Sequence, residues 1–275
     1  MTNTIRVAAI QMVSTVDVDA NLDSARTLIA QAAGQGAKLA VLPEYFPVLS
    51  DDETVKLRYR EPYGNGPLQE FLADNARQQG IWLMGGSIPL ESEQEEHIYN
   101  SCLLFNPEGE CVARYDKMHL FDVCVNSESD ESYNESNTIM AGNNIIIAAT
   151  PFANIGMSIC YDLRFPELYR NMIDQDVSII TIPAAFTETT GRRHWKTMLR
   201  TRAIENLCFV IAPNQGGQHT EKRFTWGHSM IIDPWGEVLG SLEKGPGIVC
   251  ADLDLGRQQE LRASFPVLQH KKLIQ

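Results

Sequence analysis

The chain has 275 residues, 44% of them hydrophobic, and 35 acidic against 23 basic residues give a formal net charge of −12. This supports a sizeable core in one large or two small domains. The acidic balance, without a basic stripe, makes nucleic acids and anionic membranes poor partners. No signal-peptide pattern opens the sequence, and its apolar runs are far shorter than the ~20 residues of a membrane helix, so we expect a cytoplasmic protein.

Strand patterns and helical patterns alternate along the chain. The first part predicts, in order, a strand at 6–12, a helix at 21–35, a strand at 38–42, a helix at 68–79 and a strand at 81–84. A hairpin of 99–105 with 111–115 follows. The second part predicts strands at 145–149 and 155–159, a helix after Pro166, a strand at 177–182, a helix at 194–206, and strands at 207–212, 228–232, 237–240 and 247–251. Two β-α-β halves around central hairpins indicate one α/β domain over residues 1–275.

Residues 124–137 interrupt this alternation. The segment is acidic and rich in serine and asparagine. A loop of this length is usually either disordered or functional. Its position between two motifs favours a functional role.

Six cysteines are present, and none forms a C-x-x-C pair, which argues against a zinc ribbon or a redox motif. Cys160 ends the apolar run 155–159 and precedes the helix that starts near Pro166. A thiol at such a turn can act as a nucleophile, and a helix start would favour its thiolate. Burial as a small apolar side chain is the alternative, and it is the role expected for four others, Cys102, Cys111, Cys208 and Cys250.

A thiol that attacks a carbonyl needs a base and a group that stabilises the oxyanion. Glu44 follows a buried strand and can serve as the base, or it caps a turn in solvent. Lys117 also follows a strand and can stabilise an oxyanion, or it is a surface lysine. Neither a G-x-S-x-G nor an H-E-x-x-H motif occurs, so serine and zinc hydrolases are unsupported.

Three segments together resemble the signature segments of the nitrilase, or carbon–nitrogen hydrolase, superfamily, in that family's order and at compatible spacing. They are Leu42-Pro43-Glu44, Tyr115-Asp116-Lys117-Met118-His119-Leu120-Phe121 and Cys160-Tyr161-Asp162-Leu163-Arg164-Phe165-Pro166-Glu167. The similarity runs from the first strand to Leu261. It implies an α-β-β-α sandwich of the nitrilase type, a homodimer or higher homo-oligomer, and a hydrolase without metal or cofactor.

The resemblance also implies a catalytic role for each matching residue. Glu44 would be the general base, Cys160 would form a thioester, and Lys117 would stabilise the tetrahedral intermediate together with the backbone N–H after Cys160. Residues 133–136, Tyr-Asn-Glu-Ser, resemble the motif of a second, positioning glutamate, which is Glu135 here. The insertion at 126–132 departs from the family pattern, so the resemblance does not predict the path of this loop.

The segment that begins at Cys160 resembles the Nit branch of the superfamily, where two substrate classes compete. One class is ω-amides of dicarboxylates, such as α-ketoglutaramate or succinamate. The other is deaminated glutathione, cleaved to 2-oxoglutarate and cysteinylglycine in metabolite repair. Residues 221–230, 243–247 and 265–270 resemble the amidases of the second class more closely. A non-catalytic binding protein on the same fold is a third hypothesis.

A carboxylate-bearing amide requires local positive charge in an acidic protein. Arg164 is the predicted carboxylate clamp, and a salt bridge to Glu167 or Glu205 is the alternative. Trp195 is equally compatible with core packing. The full set of predicted substrate-binding residues is Tyr45, Tyr133, Tyr161, Arg164, Phe186, Thr187, His194 and Trp195.

Overall fold

Two β-sheets with helices on their outer faces dominate the computed structural model, which describes residues 3–124 and 132–272. The strands are β1 Thr4–Gln11, β2 Leu39–Val41, β3 Trp82–Met84, β4 Ile88–Glu91, β5 Ile98–Phe105, β6 Cys111–Asp116, β7 Asp122–Cys124, β8 Ser132–Asn134, β9 Ile147–Ala149, β10 Asn154–Met157, β11 Val177–Thr181, β12 Phe209–Ala212, β13 Ser229–Ile232, β14 Val238–Leu242 and β15 Gly247–Asp254. The α-helices are α1 Val18–Gly34, α2 Pro67–Gln79, α3 Pro166–Ile173, α4 Glu188–Asn206 and α5 Leu255–Ser264. Short 3₁₀ helices cover Glu53–Tyr59, Glu135–Asn137 and Cys160–Arg164.

Parallel strands lie at the centre of both sheets. Within the described residues, the first sheet has the order β15-β1-β2-β3-β5-β4, with β6 also paired to β5, and β1, β2 and β3 are parallel. The second has the order β14-β13-β12-β11-β10-β9, with β10, β11 and β12 parallel. β15 pairs antiparallel with β1 over the whole strand, from Thr4 opposite Asp254 to Gln11 opposite Gly247. The C-terminal part of the fold therefore completes the sheet that begins at the N-terminus.

The core consists of layers, because successive side chains of a strand point to opposite faces. On β1, Val7 and Ala9 join the core shared with the second sheet, whereas Ala8 and Ile10 pack with the apolar side of α1 and α2. Helices α3 and α4 cover the second sheet through side chains such as Trp195. Burying each large apolar side chain contributes about 1.5–3 kcal/mol. The predicted α-β-β-α sandwich is confirmed.

Several element boundaries differ from the prediction. Helix α4 begins at Glu188 rather than at residue 194, because Thr187 caps it by accepting a hydrogen bond from the Thr190 N–H. The prediction missed this start because the first residues of the helix are polar or glycine and show no helical spacing of apolar residues. The segment 124–137 is not wholly irregular, since it contributes β8 and a 3₁₀ turn. Its residues 125–131 lie outside the described part. β4 and α5 were not predicted. None of the helices in the described ranges has both the length and the apolarity needed to cross a membrane.

Candidate active site

The predicted catalytic side chains meet where strands of the two sheets end. Glu44 lies just beyond β2 of the first sheet, and Cys160 lies just beyond β10 of the second. The Glu44 carboxylate accepts a hydrogen bond of 2.9 Å from the backbone N–H of Ala185, which follows β11. The Cys160 N–H donates over 2.9 Å to the carbonyl of Pro183 in the same segment. One turn after β11 thus holds the carboxylate of one sheet beside the thiol of the other.

The backbone at the site is strained. Cys160 has φ 48° and Tyr45 has φ 54°, both in the left-handed region that residues with a Cβ rarely occupy. The Glu44 turn is also crowded, since a Cβ on Gly86 would lie 2.1 Å from the carbonyl oxygen of Pro43. Such conformations persist only where the surroundings enforce them, and they concentrate at functional sites.

A buried cluster of three charges occupies the centre of the site. The Lys117 ammonium lies 2.9 Å from Glu44 Oε1 and 2.7 and 3.0 Å from the two carboxylate oxygens of Glu135. The Lys117 side chain is only 1% exposed. Two carboxylates share one cation, so the cluster has a net negative charge that the surrounding dipoles must stabilise.

Neutral donors supply that stabilisation. The Asn100 side-chain amide donates to Glu44 Oε1 over 3.0 Å. The Tyr45 hydroxyl and the Phe121 backbone N–H each donate to Glu135 over 2.7 Å. These hydrogen bonds fix the orientation of both carboxylates, and those to Glu135 favour its ionised form.

The pKa shifts agree with a charged cluster beside a neutral thiol. Burial disfavours the charged forms of Lys117 and Glu135, but their attraction outweighs it, raising the pKa of Lys117 well above its ordinary value and lowering that of Glu135. Burial, followed by the negative charge of Glu44, raises the pKa of Cys160 well above its ordinary value, although Lys117 opposes this. This direction is opposite to the one that a helix start would favour. The 3₁₀ helix Cys160–Arg164 separates the thiol from the start of α3.

One pocket, with about 370 Å³ of empty space, contains the thiol and the charge cluster. Five of the eight predicted substrate-binding residues line it: Tyr45, Tyr133, Tyr161, Phe186 and Thr187. Within residues 3–124 and 132–272, no group of three or more histidine, cysteine or acidic side chains is arranged to bind a metal.

The other three predicted substrate-binding residues are placed elsewhere. The Arg164 guanidinium lies behind the pocket wall, 5.2 Å from the Phe186 ring, and contacts His194 Nδ1 at 3.3 Å. Arg164 is not among the described residues that line the pocket, and within the described residues it forms no salt bridge with Glu167 or Glu205; Glu205 pairs instead with Arg170 and Arg202. His194 is exposed, and Trp195 is fully buried with its indole N–H donating to the His228 carbonyl over 2.8 Å. Trp195 therefore has the core-packing role.

Sequence reasoning missed further pocket residues. Arg223 lines the pocket, although it belongs to a polar segment that no strand-end argument selected. Phe121, Ala185 and Thr190 also line it. Of the cysteines expected to be buried, Cys102 and Cys208 are, but Cys111 and Cys250 are only partly so. Phe121 belongs to a signature segment, whereas Arg223 and Thr190 do not, so the signature segments account for only part of the pocket wall.

The carbon–nitrogen hydrolase family profile matches residues 6–263. The chain belongs to the carbon–nitrogen hydrolase family. It is 42% identical over 270 residues to the deaminated glutathione amidase of Synechocystis sp., covering 97% of this chain and 98% of that protein. The Caenorhabditis elegans NitFhit protein superposes with a TM-score of 0.89 at 33% identity, covering 98% of this chain but only 66% of that one.

A second solved structure refines the position within the family. Saccharomyces cerevisiae Nit3, described as a member of branch 10 of the nitrilase superfamily, has a TM-score of 0.88 at 29% identity, covering 98% of this chain and 97% of that one. The predicted nitrilase-superfamily, Nit-branch relationship is confirmed. The carbon–nitrogen hydrolase is accordingly an amidase that acts on non-peptide amides.

In this carbon–nitrogen hydrolase, buried Asp162 organises the turn that carries Cys160. Its Oδ2 accepts from the Ile159 N–H and the Tyr115 hydroxyl at 2.8 and 2.7 Å, and its Oδ1 lies 2.7 Å from His119 Nδ1. In an Asp162→Asn variant, one carboxylate oxygen becomes an NH₂ group, which cannot accept the hydrogen bonds that these donors make. We expect it to lower the free energy of unfolding by about 2 kcal/mol or more, measured by urea denaturation, and to lower kcat.

Tyr115→Phe is the matched control for Asp162→Asn. It removes one of the hydrogen bonds to Asp162 while leaving the carboxylate in place. Its expected cost is about 1 kcal/mol. An Asp162→Asn protein as stable and as active as the wild type would contradict the positioning role.

Proposed function

We propose that this enzyme hydrolyses a small carboxylate-bearing amide through a thioester on Cys160, with Glu44, Lys117 and Glu135 as the other catalytic residues. The proposal rests on the buried charge cluster of Glu44, Lys117 and Glu135, which lines the same pocket as the Cys160 thiol. A cluster of three buried ionised groups is costly to maintain. A protein that only binds its ligand has no need to keep such a cluster beside a thiol.

Acylation begins with a neutral thiol and a charged carboxylate. The Cys160 sulfur attacks the amide carbonyl carbon, its proton passes to Glu44, and the carbonyl π electrons move to oxygen. The C–N bond then breaks as Glu44 returns the proton to the departing nitrogen. A thioester and a free amine or ammonia result. Burial, followed by the negative charge of the nearby Glu44, raises the pKa of Cys160, and the closeness of this carboxylate to the thiol supports its role as the acceptor of that proton.

Two donors are available for the oxyanion. Lys117 brings a positive charge that burial disfavours and that its carboxylate partners Glu135 and Glu44 keep protonated. The backbone N–H of Tyr161, next to the nucleophile, donates to no protein acceptor in the described part of the chain. Preorganised donors of this kind stabilise charge as it develops in the transition state.

Deacylation uses the same groups. Water attacks the thioester carbonyl carbon while Glu44 takes a proton from that water. As the carbonyl re-forms, the C–S bond breaks, Glu44 passes its proton to the departing thiolate, and the acyl group leaves as the carboxylic acid. Glu135 does not need to exchange protons. Its contacts to Lys117, Tyr45 and Phe121 support a positioning role, because they fix the ammonium relative to Glu44.

We propose deaminated glutathione as the substrate, cleaved to 2-oxoglutarate and cysteinylglycine in metabolite repair. The name of the Synechocystis relative, matched over nearly its whole length, supports this choice. The alternative is an ω-amidase for α-ketoglutaramate or succinamate, which share a carboxylate-bearing acyl group. Both activities would use the same thioester chemistry.

Comparing kcat/KM for deaminated glutathione and α-ketoglutaramate tests the substrate, since both release 2-oxoglutarate. We expect deaminated glutathione to be preferred by at least about tenfold, which corresponds to about 1.4 kcal/mol of transition-state binding. A reversed ratio would identify the ω-amidase. Turnover of neither amide, together with no mass shift at Cys160, would reject the proposed function.

We further propose that residues 1–275 form a single hydrolase domain, which acts as a cytoplasmic homodimer. The family match over residues 6–263 and the pairing of β1 with β15 support the single domain. Cys102, Cys111, Cys160, Cys208 and Cys250 are free thiols in the described part of the chain, which is compatible with a reducing compartment. The resemblance to the nitrilase superfamily supports the dimer.

A further inference from the structure

Arg223 is the second basic residue, beside Lys117, among the described residues that line the pocket. The two differ in how they are neutralised. Lys117 is surrounded by the carboxylates of Glu44 and Glu135. Arg223 shares Glu53 with a third cation, Lys56, so the Arg223 group retains more of its positive charge toward the pocket.

The position of Arg223 is fixed from behind. Its Nη1 donates to the Ser50 carbonyl over 2.6 Å and to Glu53 Oε1 over 2.7 Å, and its side chain is 12% exposed. Burial raises the pKa of Glu53, but Lys56 and Arg223 lower it further, to about 2, so Glu53 stays ionised. A guanidinium anchored at one nitrogen keeps its other donors in a fixed direction.

The remaining donors of Arg223 have no partner among residues 3–124 and 132–272. In the part of the chain that the structure describes, neither Nε nor Nη2 donates to an acceptor. The guanidinium carbon lies 5.8 Å from the ring of Tyr133, which lines the same pocket. Two adjacent, unpaired N–H edges are the arrangement that binds a carboxylate bidentately.

We infer that Arg223 binds the carboxylate on the acyl side of the substrate, an assignment that rests on the proposed function. Both candidate substrates carry this carboxylate, and the acyl group stays in the pocket on Cys160 after the amine has left. Arg223 is also linked to the charge cluster. Glu53 pairs with both Arg223 and Lys56, the Lys56 ammonium lies 3.7 Å from the centre of the Tyr45 ring, and the Tyr45 hydroxyl donates to Glu135. An amide without the carboxylate would leave the Arg223 donors unpaired, so the arginine selects the substrate class.

The test compares two amides of equal chain length, α-ketoglutaramate and pentanamide, in wild type and Arg223→Gln, and adds N-pentanoylglycine as an amide with a carboxylate on its leaving group. We expect kcat/KM for α-ketoglutaramate to fall on the order of 10- to 100-fold, mainly through KM, with pentanamide nearly unchanged. Arg223→Lys keeps the charge without the bidentate geometry and should recover only part of the loss. Arg192→Gln removes the same charge from an exposed position on α4 and is the matched control. Thermal melting verifies that each variant is folded.

Three results would overturn the assignment. Equal losses for both amides would make Arg223 merely structural. A loss confined to N-pentanoylglycine, whose carboxylate is on the leaving group, would place the contact on the wrong side of the scissile bond. Unchanged affinity of Arg223→Gln for 2-oxoglutarate, measured by calorimetry without turnover, would exclude the clamp. By contrast, a wild type that hydrolyses pentanamide and no carboxylate-bearing amide would reject the proposed function instead.

Discussion

Replacing Cys160 with alanine is expected to lower kcat by at least about 10⁴-fold while leaving the protein folded. The substitution removes the sulfur that forms the thioester, and no other described cysteine lines the pocket. The lost side chain is small, and the hydrogen bond from the residue-160 N–H to Pro183 is retained. Release of 2-oxoglutarate gives kcat, and thermal melting reports on the fold.

Cys250→Ala is the control for Cys160→Ala, because Cys250 is a partly buried thiol on β15, outside the pocket. It should keep nearly full activity. Mass spectrometry of wild type quenched during turnover should find the acyl group on Cys160 alone. A Cys160→Ala enzyme within about 100-fold of wild type would reject the thioester mechanism.

A Lys117→Met variant should lose both activity and stability. Removing the ammonium takes away the main charge available to the oxyanion, for which we expect a loss in kcat of about 10³-fold or more. It also leaves the carboxylates of Glu44 and Glu135 buried together without their cation. Breaking a buried pair in this way costs about 3–5 kcal/mol, which urea denaturation at pH 7 would measure.

The stability defect of Lys117→Met should depend on pH. In the wild type, the lowered pKa of Glu135 contributes stability above the ordinary glutamate pKa, and this contribution is lost as pH falls. In the variant, the uncompensated carboxylate pair takes up a proton more readily when folded than when unfolded, so the sign reverses. The variant should therefore gain stability relative to wild type as pH is lowered from 7 toward about 5.

The double variant Lys117→Met/Glu135→Gln provides the control for this prediction. It removes one of the two buried negative charges and should recover part of the stability, but not the activity. A Lys117→Met protein with wild-type stability at pH 7, or one that loses stability on mild acidification, would contradict the proposed energetics.

The sequence predicted the chemistry better than the pocket wall, and the reason is geometric. Glu44, Lys117 and Cys160 directly follow strands, and a strand end has a definite place in a layered sandwich. Glu135 was identified through the family resemblance, because nothing in the acidic segment 124–137 distinguishes it from other carboxylates. Its position depends on tertiary contacts with Tyr45 and Lys117 that no local pattern contains.

Arg164 and Arg223 illustrate the limit of sequence proximity. Arg164 is four residues from Cys160, but its guanidinium lies 5.7 and 5.2 Å from the Tyr161 and Phe186 rings and is not among the described residues that line the pocket. Arg223 is 63 positions from Cys160 and reaches the pocket because Ser50 and Glu53 hold its loop from the opposite half of the chain. Neighbours in a pocket are set by how loops pack, and periodicity within a single segment carries no information about that packing.

The split between strand ends and loops has a consequence for how such an enzyme can evolve. Glu44 and Cys160 are anchored to different sheets, so their alignment is tied to the central core, where most substitutions are selected against as packing defects. Arg223 and Thr187 lie on connecting segments that tolerate change. A lineage can thus exchange one acyl group for another by altering these connections, while the reaction itself is inherited unchanged.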